Sequence, residues 1–167
     1  LRLDSTGEVL SRYLHGLAVD EVLAEENIDP LTGTSDLLWT LGDHQGSIQD
    51  LVRYDTTSDH AAVVDHLFYD AFGNILSQSD ASLDHLFGYT GREWDELTRL
   101  QYTRRRYYAP ELGRFTSRDP LSFAAGDMNL YRYTGNHPTY ATDPSGLDDV
   151  QVVRVPQRYP TFADRRR

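Results

Sequence analysis

Asp119 and Asp127 stand close together in the chain, in Ser117-Arg118-Asp119-Pro120 and Gly126-Asp127-Met128-Asn129. Two carboxylates that share one proton can activate water and protonate an amide leaving group, the chemistry of an aspartyl-type protease. A turn between them can bring the side chains face to face, with Arg118 holding one of them ionised. The plainer reading makes both turn or cap residues, since the chain holds 26 Asp and Glu and Asp is favoured in turns.

Other chemistries find less support. There is no Cys, which removes thiol catalysis, disulfides and Cys-based metal sites. His15, His44, His60, His66, His85 and His137 lack metal-ligand spacing, so no metal and no cofactor is expected. The Asp-x-x-Gly stretches lack the alternating oxygen ligands of a calcium loop, and neither a phosphate loop nor a nucleophile elbow is present. Arg104-Arg105-Arg106-Tyr107-Tyr108 mixes basic and aromatic residues, as single-strand nucleic-acid binders do. The favoured reading is a strand whose Arg heads meet acidic neighbours and whose Tyr rings pack inward. The net charge of -10 argues against a nucleic-acid partner. Trp39, Trp94, Phe68, Phe72, Phe87 and Tyr89 can be read as a glycan platform or, more simply, as core.

The elements that must position these residues are strands and turns. Asp4-Ser5-Thr6-Gly7, Asp43-His44-Gln45-Gly46 and Asp70-Ala71-Phe72-Gly73 each precede a polar residue and then Val or Ile. Asp with Gly three residues on fits a type I turn: the carboxylate caps the turn backbone and Gly accepts the positive φ that follows. Flanking apolar runs make each unit a strand, a tight turn and a returning strand. The stretch ending in Gly113 is a variant with Ala109 in the Asp slot, and Asp143-Pro144-Ser145-Gly146-Leu147 is another. Irregular spacing of the turns argues against a strict solenoid and for an antiparallel, hairpin-rich sheet. Residues 19–27 read as a short helix or a strand pair, and 90–97 as a turn or a single helical turn. Beyond Leu147 the tail carries a β-prone run at 150–155 and is too short to bury a core. No apolar run reaches membrane-span length. The chain opens on Leu1 without Met and reads as a piece of something longer.

Tyr69-Asp70 followed by Gly73, the Arg118-Asp119-Pro120 element, Asn129-Leu130-Tyr131 and Asp143-Pro144-Ser145-Gly146-Leu147 together resemble the Rhs/YD-repeat family and the related C components of Tc toxins. The resemblance implies an all-β strip of a hollow shell: YD-repeat strands over 1–100, the core-associated segment over 101–147, and a variable tail over 148–167. It implies a shell that encloses a C-terminal toxin or tail and cuts itself after Leu147, at the Leu147-Asp148 bond. The site would be aspartyl-type, with Asp119 and Arg118 in the matching element and Asp127 as second carboxylate. Implied partners are the rest of the shell, the cargo, a secretion apparatus and an immunity protein, with a secreted or cell-surface location. The alternative is a structural or adhesive YD-repeat module that never cuts. Asp29-Pro30, Asp119-Pro120 and Asp143-Pro144 are acid-labile bonds, so scission there is sample chemistry, whereas scission after Leu147 is enzymatic in character.

Overall fold

In the computed structural model, which describes residues 1–83, 85–147 and the backbone of 151–152, the three Asp-x-x-Gly stretches fold alike. Asp4 Oδ1 accepts hydrogen bonds from the amides of Thr6 and Glu8 at 2.8 and 2.9 Å. Asp43 Oδ1 accepts from Gln45 and Ser47 at 2.8 and 2.9 Å, and Asp70 Oδ1 from Phe72 and Asn74 at 2.8 and 3.0 Å. In each turn the Gly amide closes onto the Asp carbonyl. A carboxylate that binds two amides of its own turn needs no tertiary help to shape it. The bonds from Thr6 and Glu8 hold the Asp4 carboxyl below the usual carboxylate range. At Asp70 burial pushes the carboxyl up, but the bonds from Asn74, Phe72 and Gly73 outweigh it and the net shift is downward.

The turns link a seven-stranded antiparallel meander in which each strand pairs with the next: β1 (Arg2–Leu3), β2 (Val9–His15), β3 (Val22–Ile28), β4 (Ser35–Gly42), β5 (Ile48–Asp55), β6 (His60–Tyr69) and β7 (Ile75–Gln78). A second antiparallel sheet holds β8 (Glu93–Asp95), β9 (Leu100–Thr103), β10 (Arg106–Ala109) and β11 (Arg114–Phe115), in the order β11-β10-β9-β8. β12 (Ala141–Thr142) pairs with β13 (Gln151–Val152). Only 3-10 turns interrupt the strands among the described residues, so the fold is all-β and antiparallel. Residues 19–27 form neither a helix nor a strand pair. They are a hairpin turn running into one strand, because Val22 and Ala24 are buried and Ala24 stands between Leu14 of β2 and Trp39 of β4. Cross-strand pairing outweighs the helical propensity of a Glu- and Ala-containing run. Residues 90–97 divide between a 3-10 turn (Tyr89–Gly91) and β8.

Alternation along β4 sorts the faces of the meander. Leu38 and Thr40 are buried, while Leu37, Trp39 and Leu41 are exposed, as a period of two requires. Across the sheet, Thr40, Leu51 and Asp65 stand opposite one another on the buried face. Val22, Leu38, Ile48 and Leu51 form one core, against which Val64 and Phe87 pack. The Phe87 ring meets Tyr13 edge-on at 5.0 Å. The segment that carries Phe87 therefore caps one face of the meander. Asp65 is buried on that face and is held by Gln78 Nε2, Ser79 Oγ and the Asp80 amide at 2.7, 3.0 and 2.8 Å.

Tyr89, Tyr108, Phe115 and Tyr133 form a second core, with Tyr69 packed against it. Burial pushes the phenols of Tyr69, Tyr89, Tyr108 and Tyr133 well above their ordinary value of 10.0. The folded state holds these protons more tightly than the unfolded chain does. Its stability is therefore fully present below the ordinary value and falls as pH rises past it. The unfolding midpoint of the protein is expected to hold steady up to about pH 9.5 and to drop steeply above about pH 10. A midpoint that stays flat to about pH 12 would mean that the phenols ionise without opening the core.

Candidate active site

The site starts from one strand. On β10, Arg106 and Tyr108 point inward, while Tyr107 is exposed beside Tyr102. The β9–β10 hairpin turns tightly through Arg104 and Arg105, with Arg104 at φ 60°, and Thr103 Oγ1 donates to the Arg106 carbonyl at 2.6 Å. This pairing sends the Arg106 guanidinium into the interior, where its side chain is 0% exposed. A buried guanidinium must be paired or it is very costly, and its planar fork suits several acceptors at once.

Three separate segments supply those acceptors. Arg106 Nη2 lies 3.0 Å from Asp119 Oδ2 and 3.3 Å from Asp143 Oδ2. Arg106 Nε donates to the Gly146 carbonyl at 2.6 Å, and Nη1 to the Leu130 carbonyl at 3.4 Å. The guanidinium carbon sits 3.5 Å over the Phe115 ring, a cation–π contact that adds to the hold. Both carboxylate side chains are 0% exposed.

The two carboxylates differ in what else they hold. Asp143 Oδ1 accepts from the amides of Ser145, Gly146 and Leu147 at 3.2, 2.8 and 3.3 Å, and so caps the turn that carries Leu147. Asp119 Oδ1 accepts from the Leu121 amide at 2.7 Å, and the Asp119 amide donates to the Leu130 carbonyl at 2.8 Å. Asp119 Oδ2 is buried, sits at ion-pair distance from Arg106, and makes no aligned hydrogen bond. Its contact with the guanidinium is electrostatic and off-axis. A cleft of about 650 Å³ borders Asp119, Ser122, Phe123 and Asn129.

The Asp143–Leu147 turn is fitted closely to the β9–β10 hairpin. Gly146 has φ +70°, and a Cβ there would stand 2.3 Å from the Thr103 carbonyl oxygen and 3.1 Å from the Arg106 amide nitrogen. Only glycine meets both demands. Pro144 presents its carbonyl oxygen to Arg92 Nη2 and Arg104 Nη1. Leu147 is half-buried, and its amide also donates to Ser145 Oγ at 3.1 Å. Asp148 lies outside the described residues.

Not every expected site residue gathers here. Asp127 Oδ2 pairs with Arg132 Nε at 3.3 Å, and its Oδ1 caps Asn129 at 2.8 Å. Arg118 is exposed, and the cation beside Asp119 is Arg106. Of the basic-aromatic run, Arg104 reaches the acidic meander through Asp20, while Arg106 serves acceptors of its own segment. The six rings of the glycan-platform reading do not share a surface: Phe87 belongs to the first core and Tyr89 to the second. Arg106 and Asp143 are the residues that sequence reasoning passed over as a carboxylate-and-cation set. The available signal was alternation, which puts Arg106 on the same face as Tyr108.

Residues 37–139 match the family described as Teneurin YD-shell. The chain belongs to the teneurin YD-shell family. The matched stretch takes in Arg106 and Asp119 and ends before Asp143. Among relatives of this YD-shell chain, the toxin protein Tse5 of Pseudomonas aeruginosa is 49% identical over 65 residues, which is 39% of this chain and 5% of Tse5. The YibJ protein of Escherichia coli K12 is 40% identical over 85 residues, 50% of this chain and 36% of YibJ. The chain thus spans about a third of one relative's length and a small fraction of the other's. The crystal structure of TcdB2-TccC3 superimposes on 82% of the YD-shell chain with a TM-score of 0.67 at 24% identity, covering 7% of that chain. At that identity the likeness establishes the fold alone. No helix among the described residues is long and apolar enough to cross a membrane.

Proposed function

We propose that this chain is the closing end of a toxin-type YD shell that encloses a C-terminal cargo, and that it cuts itself once, after Leu147. The shell strands would occupy residues 1–100, the core-associated segment 101–147, and the released side would begin at Asp148. The observation that carries the reading is the convergence on Arg106 of Asp119, Asp143 and the Gly146 carbonyl, one residue before the expected scissile bond. Kinship with Tse5, which is named a toxin, supports the cargo half. The remaining shell and the cargo are the partners of this reading, with a secretion apparatus and an immunity protein beyond them, and the place of action is outside the producing cell or at its surface.

The chemistry is hydrolysis. One carboxylate takes a proton from water, whose oxygen attacks the Leu147 carbonyl carbon. The other carboxyl, protonated at the start, gives its proton to the nitrogen of residue 148 as the C–N bond breaks. The products are a carboxyl group on Leu147 and a free amine on Asp148. Asp119, with no aligned hydrogen bond at Oδ2, suits the exchange with water. Asp143 holds the turn and faces the same guanidinium. Arg106 fixes the Gly146 peptide, so the reacting bond is oriented before chemistry begins.

The test is the intact mass, under denaturing conditions at neutral pH, of the full-length protein that carries this chain. Two masses dividing at Leu147-Asp148 are expected. A single uncut mass would leave the non-cleaving structural module as the reading. Asp127→Asn is expected to leave the cut unchanged, and loss of the cut in that variant would move the second carboxylate from Asp143 to Asp127.

A further inference from the structure

The turn between β2 and β3 carries a residue that reaches the opposite end of the chain. Asp20 sits there at φ 63°, a left-handed conformation that Asp tolerates better than most side chains. Its carboxylate is 12% exposed, with Oδ2 2.5 Å from Arg92 Nη2 and Oδ1 2.7 Å from Arg104 Nη2. Both arginines also donate to the Pro144 carbonyl oxygen. The backbone of the Tyr89–Gly91 turn passes so close that a Cβ on residue 91 would stand 2.1 Å from the Asp20 carbonyl oxygen. The hairpin is therefore seated against the capping segment. Burial draws the Arg92 guanidinium down from its ordinary range, and Asp20 is the main influence that opposes it.

Two guanidinium groups do not converge on one carbonyl oxygen unaided, because like charges repel. Asp20 lies between them and supplies the compensating charge. Pro144 precedes the Gly146 and Leu147 peptides that Arg106 and Asp143 hold, so the turn is gripped at both ends.

We propose that Asp20 is a positioning residue for the cut after Leu147. It touches no reacting atom. It aligns Arg92 and Arg104 on Pro144, and so ties the geometry of the scissile turn to the presence of the β2–β3 hairpin. The meander thereby reports its own completion to the cleavage site. This rests on the self-cleavage reading given above.

The experiment follows the cut over time after in vitro synthesis of the full-length protein, with Asp20→Ala, Arg104→Ala, the double variant and Arg104→Lys beside the wild type. Arg104 is 48% exposed, so its truncation does not threaten folding even where Asp20→Ala does. Each alanine variant is expected to slow the cut by roughly tenfold or more, since small misplacements of a reacting bond are costly. The double variant is expected to be no slower than the slower single, because the two side chains act as one unit. Arg104→Lys is expected to recover most of the rate, and the cut to remain at Leu147. Wild-type rates in both alanine variants, beside a wild type that cuts, would overturn the clamp alone. So would slowing that multiplies in the double variant and is not rescued by lysine, since that is independent structural damage. A wild type that stays uncut would overturn the protease reading and the clamp with it.

Discussion

Asp119→Asn in the full-length protein is expected to leave a single uncut mass where the wild type is expected to divide after Leu147. Asparagine keeps the size of the side chain and an acceptor for the Leu121 amide, which Asp119 Oδ1 binds at 2.7 Å. What it loses is the basicity of Oδ2, the buried oxygen with no aligned donor. A carboxyl group that moves a proton in the transition state is worth about a hundred- to ten-thousand-fold in rate, enough to turn complete cutting into none on the time scale of a preparation. Folding is expected to survive, because one neutral amide beside Arg106 leaves Asp143 to balance the guanidinium. Mass also separates this outcome from acid scission: a break at Asp143-Pro144 yields a different fragment from a break after Leu147. A variant that cuts after Leu147 at the wild-type rate would remove Asp119 from the mechanism.

Arg106→Met is expected to be the most destabilising single change in the segment. Methionine fills much of the volume under Phe115, but it leaves the Asp119 and Asp143 carboxylates buried with no cation between them. Removing one partner of a fully buried ion pair costs about 3–5 kcal/mol, most of it the penalty of the stranded charge. The Gly146 carbonyl loses its donor as well. The check is the temperature at which residues 100–147 become sensitive to protease in the full-length protein, which is expected to fall markedly. The triple variant Arg106→Met, Asp119→Asn, Asp143→Asn removes the stranded charges and is expected to regain a large part of the loss. If the single variant matches the wild type, or the triple variant is worse than the single, the stranded-charge account is wrong.

The turns were legible because their bonds are local. Asp4, Asp43 and Asp70 each bind amides two and four residues ahead, so type and spacing alone specify the geometry. The strand at Leu37-Leu38-Trp39-Thr40-Leu41 was legible for a related reason: alternation repeats every two residues and needs no partner to be read. Residues 19–27 were not, since helix and strand preferences nearly balance there until β2 and β4 stand on either side. The Asp143-Pro144-Ser145-Gly146-Leu147 turn was legible as a motif, and Asp119 as a carboxylate of interest. The set that joins them was not.

The sequence by itself determined the hairpin-rich all-β character and the turn chemistry. Tertiary structure alone decided which charges meet. Arg106 lies 37 residues from Asp143 and Arg104 lies 84 from Asp20. Ion pairs at such separations leave no periodic mark on a chain rich in acids. They form only when β10 turns Arg106 inward and the β2–β3 hairpin seats against the capping segment. Burial then makes these charges consequential, because a charge withdrawn from water must find a partner, and the fold offers Asp119, Asp143 and Asp20.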